Sequence, residues 1–165
     1  MARAAVCAAL VALAATAAGA SAALPRHGTL VPGGSLGGIR LGQPAGSVLR
    51  RLGRTHGVCR GCARPTWYFT YRPFDRHGLA VELDHGRVAG AYTVWAPAGW
   101  SAPRGLALGI FSGEASALTG TTIPISCDGY QALVADSDRA RTVYYVFGGK
   151  LWGFGLFARG ADPCR

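Results

Sequence analysis

The chain has 165 residues, a formal net charge of +9 and a hydrophobic share of 50%. Once an N-terminal leader is set aside, about 140 residues remain, enough for one domain that buries roughly two thirds of the surface its unfolded chain exposes, with no need of a second core. Removing Arg3 with the leader leaves 16 basic against 8 acidic residues, a net of +8, which favours anionic surroundings such as phosphate-bearing envelope polymers, lipid headgroups or an acidic protein. Charge alone does not indicate nucleic acid, and no RNA- or DNA-binding motif is visible. Lys150 is the single lysine beside sixteen arginines, and with the many Ala and Gly this is the usage of a GC-rich bacterial genome.

In chain order, residues 1–23 read as a secretory signal peptide. A short cationic start at Arg3 leads into an alanine-rich apolar run, and Ala20, Ser21 and Ala22 supply the small residues a signal peptidase reads. The run is too short and too alanine-dominated for a transmembrane anchor, and Cys7 stands too early in it for a lipoprotein cysteine, so the mature chain is expected to carry no transmembrane anchor. Residues 24–37, rich in Gly and Pro, read as a linker. From there a single domain of two repeats, 38–103 and 104–165, is expected.

The first unit opens with Ile39 and Leu41 alternating, then Pro44 at a helix start, where its fixed φ and missing N–H cost little. Val48, Leu49 and Leu52 share one helical face, and Gly53 stands where a helix stops. Strands follow over residues 67–71, 79–83 and 88–94, and a tight hairpin turn at Asp84, His85, Gly86 and Arg87 joins the last two. The second unit keeps this order. Leu106 and Leu108 precede a short helix from Ser112, read as its N-cap, to Leu118, with a stop at Gly120; strands follow near 130–134, 142–147 and 151–157, the last two joined at Gly148 and Gly149. The expected fold is therefore α+β, an antiparallel sheet of about six or more strands with two short helices on one face.

Five positions recur at a constant offset between the two units: Gly38 and Gly105, Leu41 and Leu108, Gly42 and Gly109, Gly46 and Gly113, Gly53 and Gly120. A second match, in the same order, aligns the hairpin 81–90 with 144–153. A duplicated supersecondary unit is the architecture these matches favour.

Four cysteines follow the leader, Cys59, Cys62, Cys127 and Cys164, and disulfides are the default in an exported chain. Of three pairings, Cys59–Cys62 with Cys127–Cys164 keeps each bridge inside its own unit. The second bridge closes a loop of roughly 37 residues, worth about 4 kcal/mol by chain entropy.

The Gly-aliphatic-x-Leu-Gly pattern, the short helix ending in Leu-Gly and the hairpin ending in Gly86, Arg87 and Gly90 resemble the tandem units of the β-lactamase inhibitory protein fold. They are also similar to the outer-membrane assembly lipoproteins of the BamE (SmpA/OmlA) kind. The resemblance covers about 120 residues from Gly38 to Phe157. It implies the fold and a habit of binding proteins; each unit offers one helix where the inhibitory protein has two, and no functional residue of either family falls on a matching motif.

Chemistry-bearing patterns are few. Cys59 and Cys62 form a Cys-x-x-Cys pair flanked by Arg60 and Arg64, which would lower a thiolate pKa, so a thiol–disulfide oxidoreductase is the alternative to a structural bridge. Glu82 and Asp84, beside Arg87, read as surface charges. His27, His56, His77 and His85 are scattered, and neither a metal site nor a cofactor is expected. Two surfaces are candidates for partner binding: Arg50, Arg51 and Arg54 on the first helix, and Tyr145 and Trp152 on the aromatic second hairpin. The reading is an exported, non-enzymatic binding protein whose partner is a protein or an anionic envelope polymer, with inhibition of a secreted hydrolase as a further alternative.

Overall fold

The computed structural model describes residues 24–72 and 75–165; the expected signal peptide, 1–23, lies outside the described residues. The elements in order are β1 (Gly28–Val31), β2 (Ser35–Leu36), α1 (Ala45–Leu52), β3 (Gly57–Cys59), β4 (Thr66–Thr70), β5 (Gly78–Asp84), β6 (Arg87–Val94), β7 (Trp100–Ser101), a 3-10 turn at Pro103–Gly105, α2 (Ser112–Thr119), β8 (Ile123–Cys127), β9 (Tyr130–Asp136), β10 (Ala140–Phe147) and β11 (Lys150–Ala158). Eight strands form one antiparallel sheet in the order β3-β4-β5-β6-β11-β10-β9-β8, and β2-β1-β7 form a small second sheet.

The stretch 24–37 is not a linker. Its Gly and Pro content masks β1 and β2, whose Leu30 and Leu36 are fully buried. Gly28 is there because β1 runs against the indole of Trp100, where a Cβ would stand 2.5 Å from the ring. Glycine composition, read as flexibility, here reports close packing.

Each helix is followed by a four-strand meander, and each helix start is docked on its own hairpin by the same three backbone bonds. Gly42 N–H donates to Val88 O, Val88 N–H to Gln43 O and Ala45 N–H to Gly86 O; in the second half Gly109 N–H donates to Leu151 O, Leu151 N–H to Ile110 O and Ser112 N–H to Gly149 O. That last bond explains why Ser112 is the first helical residue rather than the N-cap: its N–H is spent on the hairpin turn, and extended Phe111 precedes it. The hairpins also match. His85 and Gly86 have φ of 47° and 73°, Gly148 and Gly149 have 56° and 74°, the two consecutive positive values a type I′ turn requires.

Both helices and the small sheet lie on one face of the large sheet. Val48 and Leu52 of α1, Ala115 of α2, Leu30, Leu36 and Trp100 pack there with Phe69, Leu79, Val81, Phe154 and Leu156. An eight-residue helix is unstable alone, and this burial holds each one in place. Among the described residues, no helix is long and apolar enough to cross a membrane.

The two meanders join where β6 meets β11, in register only at Tyr92–Gly155, Ala91–Leu156 and Gly90–Phe157. Beyond Tyr92 the strands part, and the Thr93 hydroxyl takes the place of a ladder partner. It accepts from Phe154 N–H at 2.9 Å and donates to Phe154 O at 3.4 Å.

Candidate functional site

The other face of the sheet has no helix over it. Its centre is built by β11, where the register passes from Tyr145–Gly153 to Val146–Leu151 and so skips Trp152. This bulge breaks the alternation of the strand and sets Trp152 on the uncovered face beside Gly153. Gly153 and Gly155 clear the space above the strand. A Cβ on Gly155 would lie 2.6 Å from the Phe157 ring and 3.0 Å from Tyr145 Oη, and one on Gly153 would lie 2.6 Å from Thr93 Oγ1.

Into that space lies Tyr145, 2% exposed, which donates its hydroxyl to Pro163 O at 2.9 Å. It lines a cavity of about 190 Å³ with Tyr68, Tyr92, Thr93, Val94, Trp95, Tyr130, Trp152 and Arg165. The indoles of Trp95 and Trp152 meet edge-on at 5.9 Å, and Tyr130 stands edge-on to Tyr145 at 5.7 Å. Trp95 is 46% exposed and has a φ of 54°, a conformation that costs a non-glycine residue about 1–2 kcal/mol and that brings its indole to the mouth of the cavity. The Arg76 guanidinium lies 5.5 Å over that indole.

Residues 161–165 cross the same face as a strap. The strap is tied by the Cys127–Cys164 disulfide, by Arg141 Nη1 donating to Ala161 O at 2.6 Å, and by Tyr130, whose hydroxyl donates to Arg165 O at 2.6 Å. At its end the Arg165 guanidinium grips both carboxylate oxygens of Glu82, through Nε and, at 3.1 Å, Nη2. It also lies 4.4 Å over the Phe157 ring and 5.8 Å from that of Tyr92. Glu82 is therefore no surface charge: its side chain is 7% exposed, with Arg64 Nη1 as a second cation at 3.7 Å.

Burial pushes the phenols of Tyr145 and Tyr92 up, and the hydroxyl of Tyr68, 3.4 Å from that of Tyr92, adds to the shift there. Both stay neutral across the ordinary pH range, so neither offers a phenolate to the cavity.

The sequence-named residues separate into distinct places. Tyr145 and Trp152 come together in the cavity, Tyr145 as a buried part of its lining and Trp152 as half-buried wall. Arg50, Arg51 and Arg54 lie on and just after α1, across the sheet from them; Arg51 Nε donates to Gly37 O at 3.1 Å, so it serves the fold, while Arg50 and Arg54 are exposed. The cysteines pair as Cys59–Cys62 and Cys127–Cys164. Cys59 is the last residue of β3 and Cys62 lies in the loop leading to β4, not at a helix N-terminus. Among the described residues, no three His, Cys, Asp or Glu side chains stand together as a metal site would require.

Tyr92, Trp95, Tyr130, Glu82 and Arg165 were not singled out as a site by the sequence. The available signals were a carboxylate inside an apolar strand, residues 79–83, and two glycines alternating with large residues in β11.

No protein-family model matches the chain, and no curated protein matches it. Among solved structures, it is similar in fold to an extracellular protein containing an SCP domain from Bacillus anthracis, with a TM-score of 0.53 and 12% identity over 72% of this chain. The match spans 44% of that protein's length, less than half of it.

Proposed function

We propose that this is an exported, non-enzymatic binding domain, built from two copies of one helix-and-meander unit, that engages a protein or anionic envelope polymer through the uncovered aromatic face. The observation that carries the reading is the cavity walled by Trp95, Trp152 and Tyr130, because Trp and Tyr offer large contact area at low entropy cost and concentrate where partners bind. Export is supported by the leader-like residues 1–23, by two disulfides and by a fold shared with a protein described as extracellular.

Duplication is supported by the paired docking bonds and by two bulges at matching positions. In the first half the register passes from Glu82–Gly90 to Leu83–Val88 and skips Ala89; in the second it skips Trp152. The copies then differ where the cavity is: Ala89 against Trp152, and Glu82 against Tyr145. Such a duplicated unit is also what the resemblance to the β-lactamase inhibitory protein and BamE-like folds implies.

The test uses the folded chain and a Trp95→Ala/Trp152→Ala variant of unchanged circular dichroism, each incubated with isolated bacterial envelopes and with solubilised envelope protein. Retention should fall at least tenfold in the variant. Equal retention of both proteins would count against the aromatic face.

A second reading, thiol–disulfide exchange, is favoured by the exposure of Cys62 beside Arg60, Arg64 and the solvent. A reduction potential for Cys59–Cys62 below about −300 mV would mark a structural bridge and remove this reading.

A further inference from the structure

The second half of the molecule uses Tyr145 where the first half uses Glu82, and both positions are buried on the same face. The corresponding position of the second half thus holds a neutral side chain, and a buried ion pair adds little net stability over an uncharged filling of the same shape. Stability alone does not account for a carboxylate at Glu82.

What the carboxylate does is hold a guanidinium in a defined pose. Both of its oxygens face Arg165, the two-point match that arginine makes and lysine does not. The Phe157 and Tyr92 rings supply the face on which the planar cation lies, and they stack on each other at 6.0 Å. Arg64 is the only other cation in contact with the carboxylate among the described residues, at 3.7 Å and from a half-exposed position.

No strand ladder fixes residues 161–165. Beyond the Glu82 pair, the strap is tied to the rest of the molecule by the Cys127–Cys164 bridge, by the Ala161 N–H bond to Ala158 O, and by the side chains of Arg141, Tyr145 and Tyr130, the last bonding both N–H and O of Arg165; the Arg165 Nη1 donates only within the strap, to Asp162 O and Cys164 O. Arg165 also borders the aromatic cavity, so an incoming side chain reaches the carboxylate through the cavity once the strap lifts.

We propose that Glu82, Phe157 and Tyr92 form a guanidinium-binding site, which Arg165 fills in cis and which an arginine side chain of a partner polypeptide fills when Arg165 is displaced. The proposal rests on reading the uncovered face as a binding surface. Tethering by the adjacent disulfide gives Arg165 a high effective concentration, so the site is closed in the resting protein and opens to a partner that also gains contacts with Trp95 and Trp152.

The test is made on the full folded chain carrying Arg165→Ala, titrated with N-acetyl-arginine amide and followed by calorimetry and by the aromatic proton shifts. Saturable binding in the low millimolar range is expected, at least tenfold tighter than N-acetyl-lysine amide or N-acetyl-citrulline amide, and lost in Arg165→Ala/Glu82→Gln. The wild type should show no binding at the same concentrations. If Arg165→Ala does not fold, the Cys127→Ser/Cys164→Ser variant, in which the strap is untethered, should bind the arginine probe more weakly but with the same preference. Absence of binding in whichever variant folds, or equal binding of the lysine probe, overturns the site and leaves Glu82–Arg165 as a structural ion pair. Neither result bears on the retention lost with Trp95 and Trp152, so the two readings fail separately.

Discussion

One face of the large sheet is buried under two helices and a small sheet, whereas the other carries only a strap of five residues across part of it. Beneath the helices the packing is of aliphatic and aromatic groups, Leu79, Val81, Phe154 and Leu156 among them, and its stability is spread over many contacts of no particular geometry. Beneath the strap it rests on a short set of specific attachments: one disulfide, one bidentate ion pair and four hydrogen bonds between side chains of the body and backbone of the strap. The contrast separates what makes the protein fold from what its uncovered face is free to change. On the reading proposed above, the helix-covered face is committed to folding and the strap-crossed face is the one a partner re-exposes.

Substitutions on the two faces should therefore differ in kind as well as size. The largest loss is expected from Phe154→Ala, which empties a fully buried site under the helices and should cost roughly 3–5 kcal/mol in denaturant unfolding; a cost near zero would mean that the helix face is not the core. Removing the strap tether with Cys127→Ser/Cys164→Ser comes next. It should lower stability by up to about 4 kcal/mol through chain entropy, yet leave amide exchange in α1 and β5 protected, and an unfolded variant would erase the distinction between the faces.

The smallest effect is Tyr145→Phe, which strips the bond to Pro163 O and should cost about 1 kcal/mol. It carries a pH signature. Because burial raises the Tyr145 phenol above its ordinary value of 10.0, the unfolded chain gives up that proton first, so the stabilisation is complete below pH 10 and falls as pH rises beyond it. Stability measured from pH 8 to 11 should drop more steeply for wild type than for the phenylalanine variant; parallel curves would show that Tyr145 is not buried under the strap.

The helix face was largely legible in the sequence because its rules are periodic. Val48 and Leu52 at helical spacing, Pro44 and Gly53 at the ends, and alternating runs in β5, β6, β10 and β11 announce themselves within a short window. The short edge strands β3 and β8 lack such runs, β2 is only two residues long, and β1 and β7 pair across some seventy positions, as Gly28 does with Trp100. The uncovered face was half legible. Tyr145 and Trp152 stood out by composition, but Trp152 reaches that face through a bulge, which shifts the side-chain pattern without leaving a mark in hydropathy. Glu82 reads as a surface charge until Arg165, 83 positions away, is brought onto it. Ion pairs closed by tertiary structure have no local spacing to detect.

An open sheet of eight strands has two margins, and here both margins carry a covalent staple. Cys59 closes β3 at one border and Cys127 closes β8 at the other. Unpaired backbone along such a border is an invitation to another chain to add a strand. β3 answers with a length of three residues and β8 with Pro124, which has no N–H to offer. Each bridge ties its border strand to another segment, Cys59 to the loop before β4 and Cys127 to the strap. Each border strand is thus short or proline-broken and covalently tied, which leaves little regular edge on which another chain could add a strand.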